Sequence, residues 1–441
     1  MRSLISFVCQ ECGYEAPEWL GKCPECGEWN SLKEFKTPKV GSVRKQTNTS
    51  LRSITPKKLG DVKYQEKDRL KTDFIEADGV LGGGIVPGSV ILLAGDPGIG
   101  KSTLLLQIAL SLSGGEAKKS ILYISGEESE QQLKLRADRI SKKGKANNLS
   151  VLAITDTDAV VLAIEEEKPD LVIIDSIQTM ESEGLGGLSG SIGQVRYATS
   201  SFIKMAKAFN IPIILVGHVT KEGMVAGPMV LSHMVDAVLF LEGEKNTGTR
   251  ILRGLKNRFG PVDEVGIFMM QEEGMIEVKN PEQVFLTDTQ ANASGSVLTV
   301  TLEGTRAFLV EIQALAVFSK LPMPRRVASG FDYKRLELLL AVLQKQCRLP
   351  VDTMDIFVNV AGGLKLSDPA ADLAICLAVF SSLKNVPLKK TVGAAEVGLL
   401  GELRGVSMLE KRIKQANKLG FKNIITAESN RTLNSVLKAL E

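Results

Sequence analysis

The feature that most constrains this chain is the stretch Gly95-Asp-Pro-Gly-Ile-Gly-Lys-Ser-Thr103, which lies between apolar runs at 89–94 and 104–110. The pattern predicts a strand, a glycine-rich loop and a helix. Gly98 and Gly100 permit a tight turn whose amide groups point inward, and the start of the helix adds the positive end of its dipole. The spacing is that of a phosphate-binding loop. We therefore expect ATP to be bound by Gly95, Asp96, Pro97, Gly98, Ile99, Gly100, Lys101, Ser102 and Thr103.

The segments around this loop predict a parallel α/β sheet. Apolar runs at 120–125, 151–154, 171–175 and 211–217 read as strands, and amphipathic segments at 131–140 and 158–167 read as helices. Asp175 ends one predicted strand, where such sheets place their ligands, so we expect Asp175 and Ser102 to hold Mg²⁺. Glu127 follows the neighbouring predicted strand and is our candidate for orienting the attacking water, with Glu128 in reserve.

Three further side chains are candidates for work on the nucleotide. His218 follows the predicted strand 211–217, where it could sense the γ-phosphate or make a structural hydrogen bond. Lys256 and Arg258 are two residues apart and so lie on one side of a strand. They could pair with acidic groups, or reach the nucleotide of a neighbouring subunit as arginine-finger-type residues.

Four cysteines near the amino terminus form two knuckles, Cys9-x-x-Cys12 and Cys23-x-x-Cys26. Thiolates with this spacing match a tetrahedral zinc site, while a redox dithiol and an iron–sulfur site are the alternatives. We expect a zinc ribbon at 1–35. A basic segment at 36–65, with no acidic residue from 36 to 60, predicts a flexible linker that is either a solvated spacer or a nucleic-acid tether.

Composition sets broad limits on the chain. Its 441 residues suffice for two or three domains, and a net charge of +3 is too small to indicate a partner, so a nucleic-acid surface would have to be local. Because no apolar run approaches the roughly 18–20 residues of a membrane span, and 1–8 lacks a signal-peptide pattern, we expect a cytoplasmic protein without a membrane partner.

The region 286–441 predicts an independent α+β domain, after an ATPase domain at 66–285. Its stretches 362–382 and 396–405 resemble the proteolytic domain of the Lon family, which places a nucleophilic serine after a proline and a lysine on a later helix. The matching positions here are Ala370 and Glu410, and neither Ser367 nor Lys411 fits the pattern. We therefore expect no peptide hydrolysis. Between 320 and 348 cations outnumber the acids Asp332 and Glu337 and form either a duplex-DNA surface or a solvated one: Lys320, Arg325, Arg326, Lys334, Arg335, Lys345 and Arg348.

The cysteine pairs, the motifs GDPGIGKST, LVIID, GHVTK and KNRFG, and the carboxy-terminal segment together resemble the bacterial RadA (Sms) family of DNA recombination and repair proteins. The resemblance covers essentially the whole chain. It implies a RecA-like ATPase core, a hexameric ring, and helicase-type branch migration on single-stranded and branched DNA beside a RecA-type recombinase. By the same resemblance Glu127 is the water-activating residue, His218 the phosphate sensor, and Lys256 and Arg258 are donated across the subunit interface. The loops after Asp175 and His218 then contact DNA.

Two other functions remain open from the sequence. A non-motor scaffold, switched by ATP and loading a recombinase, would need nucleotide binding without hydrolysis. An ATP-dependent protease is suggested by the Lon-like segment, but the absence of an oxygen nucleophile at Ala370 argues against it.

Overall fold

The chain is described from a computed structural model that covers 5–9, 14–25, 27–36, 58, 69–115, 118–140, 148–218, 228–243, 248–262, 264–278, 293–304, 306–361 and 365–441. Cys12, Cys26, nearly all of the basic linker and the loop 219–227 after His218 lie outside these residues. The expected domain boundaries near 65 and 285 also lie outside them and stay predictions. Two compact units are present, one of Met1–Glu242 with Arg250–Glu277 and one of Gly243–Thr249 with Val278–Glu441.

The amino-terminal segment is a small antiparallel sheet of strands β1 (Ile5–Cys9), β2 (Glu15–Ala16) and β3 (Leu32–Lys36), in the order β2-β1-β3. Its buried cluster contains Cys9, Ala16, Cys23 and Leu32. So few buried side chains cannot offset the entropy of ordering the segment, and a bound metal is the usual remedy.

The ATPase part is built on a nine-stranded sheet in the order β12-β11-β10-β9-β4-β8-β7-β5-β6. The strands from β9 to β6 in this order run parallel, and β10 turns antiparallel to β9. The bounds are β4 Val90–Gly95, β5 Ile121–Ser125, β6 Leu149–Ala153, β7 Leu171–Asp175, β8 Ile213–His218, β9 Ala237–Glu242, β10 Thr249–Asn257, β11 Val265–Gln271 and β12 Gly274–Glu277.

Helices cover both faces of this sheet, as near-continuous apolar strands require. Leu104 of α2 and Leu133 of α3 belong to the core on one face, and Val160 of α4 and Phe202 of α5 belong to the core on the other. The bounds are α1 Ile75–Val80, α2 Lys101–Gly114, α3 Glu130–Ile140, α4 Thr157–Glu167, α5 Ile192–Phe209 and α6 Pro228–Met234. The sequence-based prediction of a RecA-like α/β core is confirmed.

The carboxy-terminal unit is α+β, as predicted. Its main sheet has the order β15-β16-β14-β13-β17-β20, and β18 and β19 form a separate hairpin. The strands are β13 Ser296–Glu303, β14 Arg306–Phe318, β15 Arg326–Ser329, β16 Met354–Val360, β17 Thr391–Ala394, β18 Glu396–Val397, β19 Leu403–Arg404 and β20 Asn423–Thr426. The helices are α7 Tyr333–Cys347, α8 Asp372–Lys384, α9 Leu409–Lys418 and α10 Leu433–Leu440. Helix α8 is buried along Asp372–Ser381.

Candidate nucleotide site

Most of the predicted site residues meet where four parallel strands end, and Lys256 and Arg258 are the exceptions described below. Gly95 of β4 pairs with His218 of β8, and Ser125 of β5 pairs with Asp175 of β7. Strand order therefore brings together motifs that are far apart in the sequence. Ligands of open α/β sheets bind at this carboxyl edge.

The loop 95–100 turns directly into α2, which begins at Lys101. Gly100 has φ of 115°, and a Cβ there would lie 2.3 Å from Met275 Cε and 2.5 Å from Met270 Cε. Glycine is favoured here because other residues rarely adopt this backbone conformation, and a side chain would also require the two methionine side chains to move. The buried guanidinium of Arg250 supports the loop by donating from Nε to the Ile99 carbonyl at 2.9 Å.

Lys101 is almost completely buried among acceptors. Its ammonium donates to the carbonyls of Gly95 (2.8 Å) and Asp96 (3.0 Å). Burial lowers the pKa of Lys101, while the negative charges of Asp175 and Asp96 act to raise it. A lysine held in this way at the glycine-rich loop suits the phosphates of a nucleotide.

Asp175, at the end of β7, is held by a tyrosine hydroxyl. Tyr123 of β5 is fully buried and donates to Asp175 Oδ2 at 2.7 Å. Burial, followed by the charge of Asp175, raises the pKa of Tyr123 well above its ordinary value, so the phenol stays protonated and can only donate here. Sequence reasoning missed Tyr123. A tyrosine in a wholly buried strand needs a partner for its hydroxyl, which was the available signal.

Glu127 and Glu128 face different neighbours. Glu127 Oε1 accepts from Ser176 Oγ at 2.9 Å and lies 3.3 Å from His218 Nε2. Glu128 instead pairs with Arg136 of α3. Glu127 is half-exposed and stays within the cluster, which supports it over Glu128 as the residue that orients water.

His218 bridges the lysine and the glutamate. Its Nδ1 lies 3.3 Å from Lys101 Nζ and its Nε2 lies 3.3 Å from Glu127 Oε1. Because an ammonium can only donate, Nδ1 accepts, and the neutral ring then carries its proton on Nε2 and donates to Glu127. The ring thus contacts both Lys101 and Glu127.

Lys256 and Arg258 lie in what we call the finger turn, the residues 256–260. Lys256 Nζ donates to the carbonyls of Ser232 (2.6 Å) and Val235 (2.8 Å) at the end of α6. Arg258 Nη1 donates to Asp236 Oδ1 at 3.2 Å. Neither cation joins the cluster around Lys101 in its own subunit.

Asp236 anchors the finger turn and was not anticipated from sequence. Its Oδ2 accepts from Lys207 Nζ at 2.8 Å and from the Val90 amide at 3.0 Å. Burial opposes ionisation of Asp236, but the bonds from Lys207 and Val90 and the charge of Arg258 hold its pKa below the ordinary value. Val90 begins β4, whose other end enters the phosphate loop.

The thiols described in the amino-terminal sheet suit a metal. Cys9 and Cys23 are 0% and 1% exposed, and the Gly27 amide donates to the Cys23 carbonyl at 2.9 Å, closing a knuckle turn. Buried thiolates on such turns bind Zn²⁺ and would supply the folding energy that the small core lacks. The zinc ribbon expected from the four cysteines fits this geometry where it is described.

The Lon-like part has no catalytic dyad among its described residues. Ala370 is fully buried, while Ser367, Glu410 and Lys411 are exposed. Beside Ala370, the buried Arg412 donates from Nη1 to Asp368 Oδ2 and to the Val300 carbonyl, both at 2.6 Å. A guanidinium cannot act as a general base, because it does not lose its proton in proteins.

The fold and the site define a RecA-type P-loop ATPase that carries an amino-terminal zinc ribbon and a Lon-like carboxy-terminal domain and that uses ATP, Mg²⁺ and Zn²⁺. Family models agree, matching an AAA domain at 56–224, a rubredoxin metal binding domain at 7–34 and the subunit ChlI of Mg-chelatase at 335–430. The chain belongs to the RadA family. It is 48% identical over 427 residues to the DNA repair protein RadA of Bacillus subtilis, covering 96% of this chain and 92% of the relative.

Other relatives are similar to the same extent. The DNA repair proteins RadA of Halalkalibacterium halodurans and Listeria monocytogenes are each 46% identical, over 96% of this chain and 92% of the relative. A crystal structure of the RadB recombinase aligns with 48% of this chain and all of its own, at 23% identity and a TM-score of 0.37. None of the helices in the described part of the chain has the length and hydropathy needed to cross a membrane.

Proposed function

We propose that this chain is a DNA-dependent ATPase that works as a helicase-type motor on single-stranded and branched DNA, driving branch migration in recombination and repair. Its relatives carry the name DNA repair protein RadA, which supports this assignment. In this proposal Lys101, Ser102 and Asp175 hold MgATP, Glu127 orients water, and His218 reports the state of the γ-phosphate. Subunits form a homo-hexameric ring, and a RecA-type recombinase is the partner.

The position of the finger turn carries the ring proposal. In the sheet, Asn257 pairs with Ala237 of β9, which pairs with Ile91 of β4. The phosphate loop begins at Gly95, roughly 13 Å further along β4 at the usual strand rise. The finger turn therefore lies at the opposite end of the sheet from its own nucleotide. If Lys256 and Arg258 act on a phosphate, it belongs to another subunit.

A hydrogen-bonded route supports coupling between nucleotide and DNA. Gln178 Nε2 donates to the His218 carbonyl at 3.3 Å, and Ser189 Oγ donates to the Thr179 carbonyl at 3.1 Å. Ser189 belongs to the glycine-rich loop 184–190, which follows β7. A displacement of His218 would thus be transmitted through these hydrogen bonds to the loop 184–190, which we propose contacts DNA.

Strand displacement on forked and three-stranded DNA tests the motor. Wild type should unwind labelled strands with ATP and Mg²⁺, and Lys101→Ala should not, because the ammonium that holds the phosphates is gone. ATPase activity that no DNA alters would contradict the proposal. Light scattering of the purified protein with nucleotide measures the ring size.

Glu127→Gln separates the motor from an ATP-switched scaffold that loads a recombinase. The variant keeps the shape and hydrogen bonding of the side chain but cannot accept a proton from water. A motor should lose turnover by a factor of at least about one hundred while still binding ATP. Full recombination activity in this variant would establish the scaffold instead.

A further inference from the structure

The finger turn is held by a segment that precedes the ATPase sheet in sequence. Arg69 donates from Nη2 to the Phe259 carbonyl at 2.8 Å, across 190 positions of sequence, and from Nη1 to the Leu81 carbonyl at 3.3 Å. One guanidinium therefore joins the finger turn to the glycine-rich segment 81–84, which we call the glycine collar. Its planar fork can hold both carbonyls at once, which an ammonium cannot do with the same geometry.

Backbone meets backbone where the collar touches the turn. Gly82 has φ of 75°, and a Cβ on it would lie 3.0 Å from Gly260 Cα. A Cβ on Gly260 would likewise lie 3.0 Å from Gly82 Cα. Any side chain at either position would push the turn away from the collar. The collar thus sets the position of the finger turn from one side.

Asp236 fixes the position of the finger turn from the other side. The Arg258 amide donates to the Asp236 carbonyl at 3.1 Å, and the Arg258 side chain pairs with the Asp236 carboxylate. Within the turn, the Phe259 amide donates to Asn257 Oδ1 at 2.9 Å. The turn is fastened to the sheet at one end and to Arg69 and the collar at the other.

We propose that Arg69, with the glycine collar, is a positioning element for the cations of the finger turn, so that Arg69 promotes ATP hydrolysis at the site of the neighbouring subunit. This inference rests on the proposed trans role of Lys256 and Arg258. Arg69 touches no nucleotide itself. It fixes the backbone that carries the two long side chains, and a misplacement of about 1 Å in such groups can cost a hundredfold in rate.

Lys71 offers a matched control. Its Nζ donates to the Gly83 carbonyl of the collar at 2.6 Å, and it is exposed. It therefore contacts the same collar as Arg69 without contacting the finger turn. If Arg69 merely stabilised the collar, removing either cation should have similar effects.

The first measurement compares Arg69→Ala with Lys71→Ala in the full-length chain. Arg69→Ala should lower kcat for ATP hydrolysis about ten- to a hundredfold, with ATP affinity and melting temperature close to wild type. Lys71→Ala should hydrolyse ATP at the wild-type rate. Wild-type turnover in Arg69→Ala, or an equal loss in both variants, would overturn the inference.

The second measurement asks which subunit's site Arg69 serves. Arg69→Ala is co-expressed with Lys101→Ala, whose own site is inactive but whose Arg69 and finger turn are intact, and mixed oligomers are purified through two different tags. ATP hydrolysis should recover at the sites of Arg69→Ala subunits that face a Lys101→Ala neighbour. The mixed oligomers should therefore hydrolyse ATP faster than the sum of the two variants measured separately. Replacing the partner with the double variant Lys101→Ala/Arg69→Ala should abolish the gain.

A parallel mixture of Lys256→Ala with Lys101→Ala tests the trans role of the finger turn separately from the positioning role of Arg69. If this mixture gains activity and the Arg69→Ala mixture does not, Arg69 acts within its own subunit and the positioning role is refuted. If the Lys256→Ala mixture also fails to gain, the trans role of the finger turn itself is refuted. A gain in both mixtures supports the positioning role.

Discussion

At the scale of single residues, the orientation of the buried Asp175 carboxylate depends on a hydrogen bond from the phenol of Tyr123. Tyr123 fixes Asp175 Oδ2 and keeps its proton because burial and the adjacent charge raise its pKa. The carboxylate is thereby oriented in advance for the Mg²⁺ that we propose it holds. Ser176, the next residue, fixes Glu127 in the same manner. Two hydroxyl groups thus orient the two acids on which the proposed chemistry depends.

We expect Tyr123→Phe to weaken Mg²⁺ binding, so that ATP hydrolysis requires a higher Mg²⁺ concentration, without unfolding the chain. Loss of one hydrogen bond to a charged group, about 1.5–3 kcal/mol, should raise the half-saturating Mg²⁺ concentration roughly ten- to a hundredfold. A Mg²⁺ titration of ATPase activity measures this. Tyr197→Phe, whose hydroxyl donates to Asp158 outside the cluster, is the control and should leave the titration unchanged.

Arg412 forms a buried ion pair with Asp368 that we expect to stabilise the carboxy-terminal unit. It is 1% exposed and its partner Asp368 also accepts from the Leu302 amide at 3.0 Å. In Arg412→Leu the carboxylate would lose its charged partner in a largely buried place, so the free energy of unfolding should fall by about 3 kcal/mol. Urea unfolding measures this. Arg404→Leu, which removes an exposed pair with Glu402, should change it little.

At the scale of elements, the Lon-like strands and helices are present without a catalytic dyad among the residues that the structure describes. Position 370 lies in a short 3₁₀ turn capped by Asp368, whose Oδ1 accepts from the Ala370 amide at 3.0 Å. Asp368 therefore serves the turn and Arg412 together. Through these bonds Arg412 and Asp368 connect β13, the 3₁₀ turn and α9.

Restoring the serine should not restore hydrolysis. In Ala370→Ser the new hydroxyl would lie in a fully buried position near a guanidinium that cannot accept its proton. We expect no cleavage of labelled unfolded casein, with or without ATP. Casein cleavage by this variant, absent from Ala370→Gly, would show that a base exists which the described residues do not reveal.

The zinc ribbon is an element whose folding we expect to depend on metal. Its buried cluster is too small to order the segment alone. Chelation should therefore release about one Zn²⁺ per chain and make the segment 1–36 sensitive to protease, while ATP binding at Lys101 persists. Zinc release followed by a colorimetric chelator, together with limited proteolysis, checks both outcomes. Release of iron instead would contradict the zinc assignment.

At the scale of the whole molecule, the small net charge is compatible with a local basic surface. Of the cations noted in the sequence, Arg335 pairs with Asp372 and Arg326 donates to the carbonyls of Val351 and Met354. The remaining ones are exposed: Lys320, Arg325, Lys334, Lys345 and Arg348. Lys334 and Lys345 lie about three turns apart on the same face of α7, which favours a shared surface.

Salt dependence tests this surface. If Lys334 and Lys345 neutralise DNA phosphates, the double variant Lys334→Ala/Lys345→Ala should weaken DNA binding uniformly across sequences. The slope of log affinity against log salt should fall by about two. Fluorescence anisotropy over a salt series measures the slope. Lys384→Ala, which removes a cation paired with Glu441, is the control.

The sequence by itself determined the chain's parts. The phosphate loop, the alternating apolar runs and the paired cysteines are local patterns, because a tight turn, a buried strand and a knuckle each depend on neighbouring residues. The strand predicted at 171–175 and the helix predicted at 158–167 match β7 and α4 within a residue. Asp175 and Glu127 were found in the same way, since each ends or follows a recognisable strand.

Only the tertiary structure decided which distant side chains meet. Tyr123 reaches Asp175, Arg69 reaches Phe259, and Arg412 reaches Asp368 across wide gaps in sequence. Strand order and helix packing create these contacts, and no local pattern encodes them. The placement of the finger turn at the end of the sheet opposite the phosphate loop is of the same kind, because it follows from the antiparallel pairing of β10 with β9. A motif shows which chemistry a residue can perform, whereas the pairing of strands determines the group on which it can act.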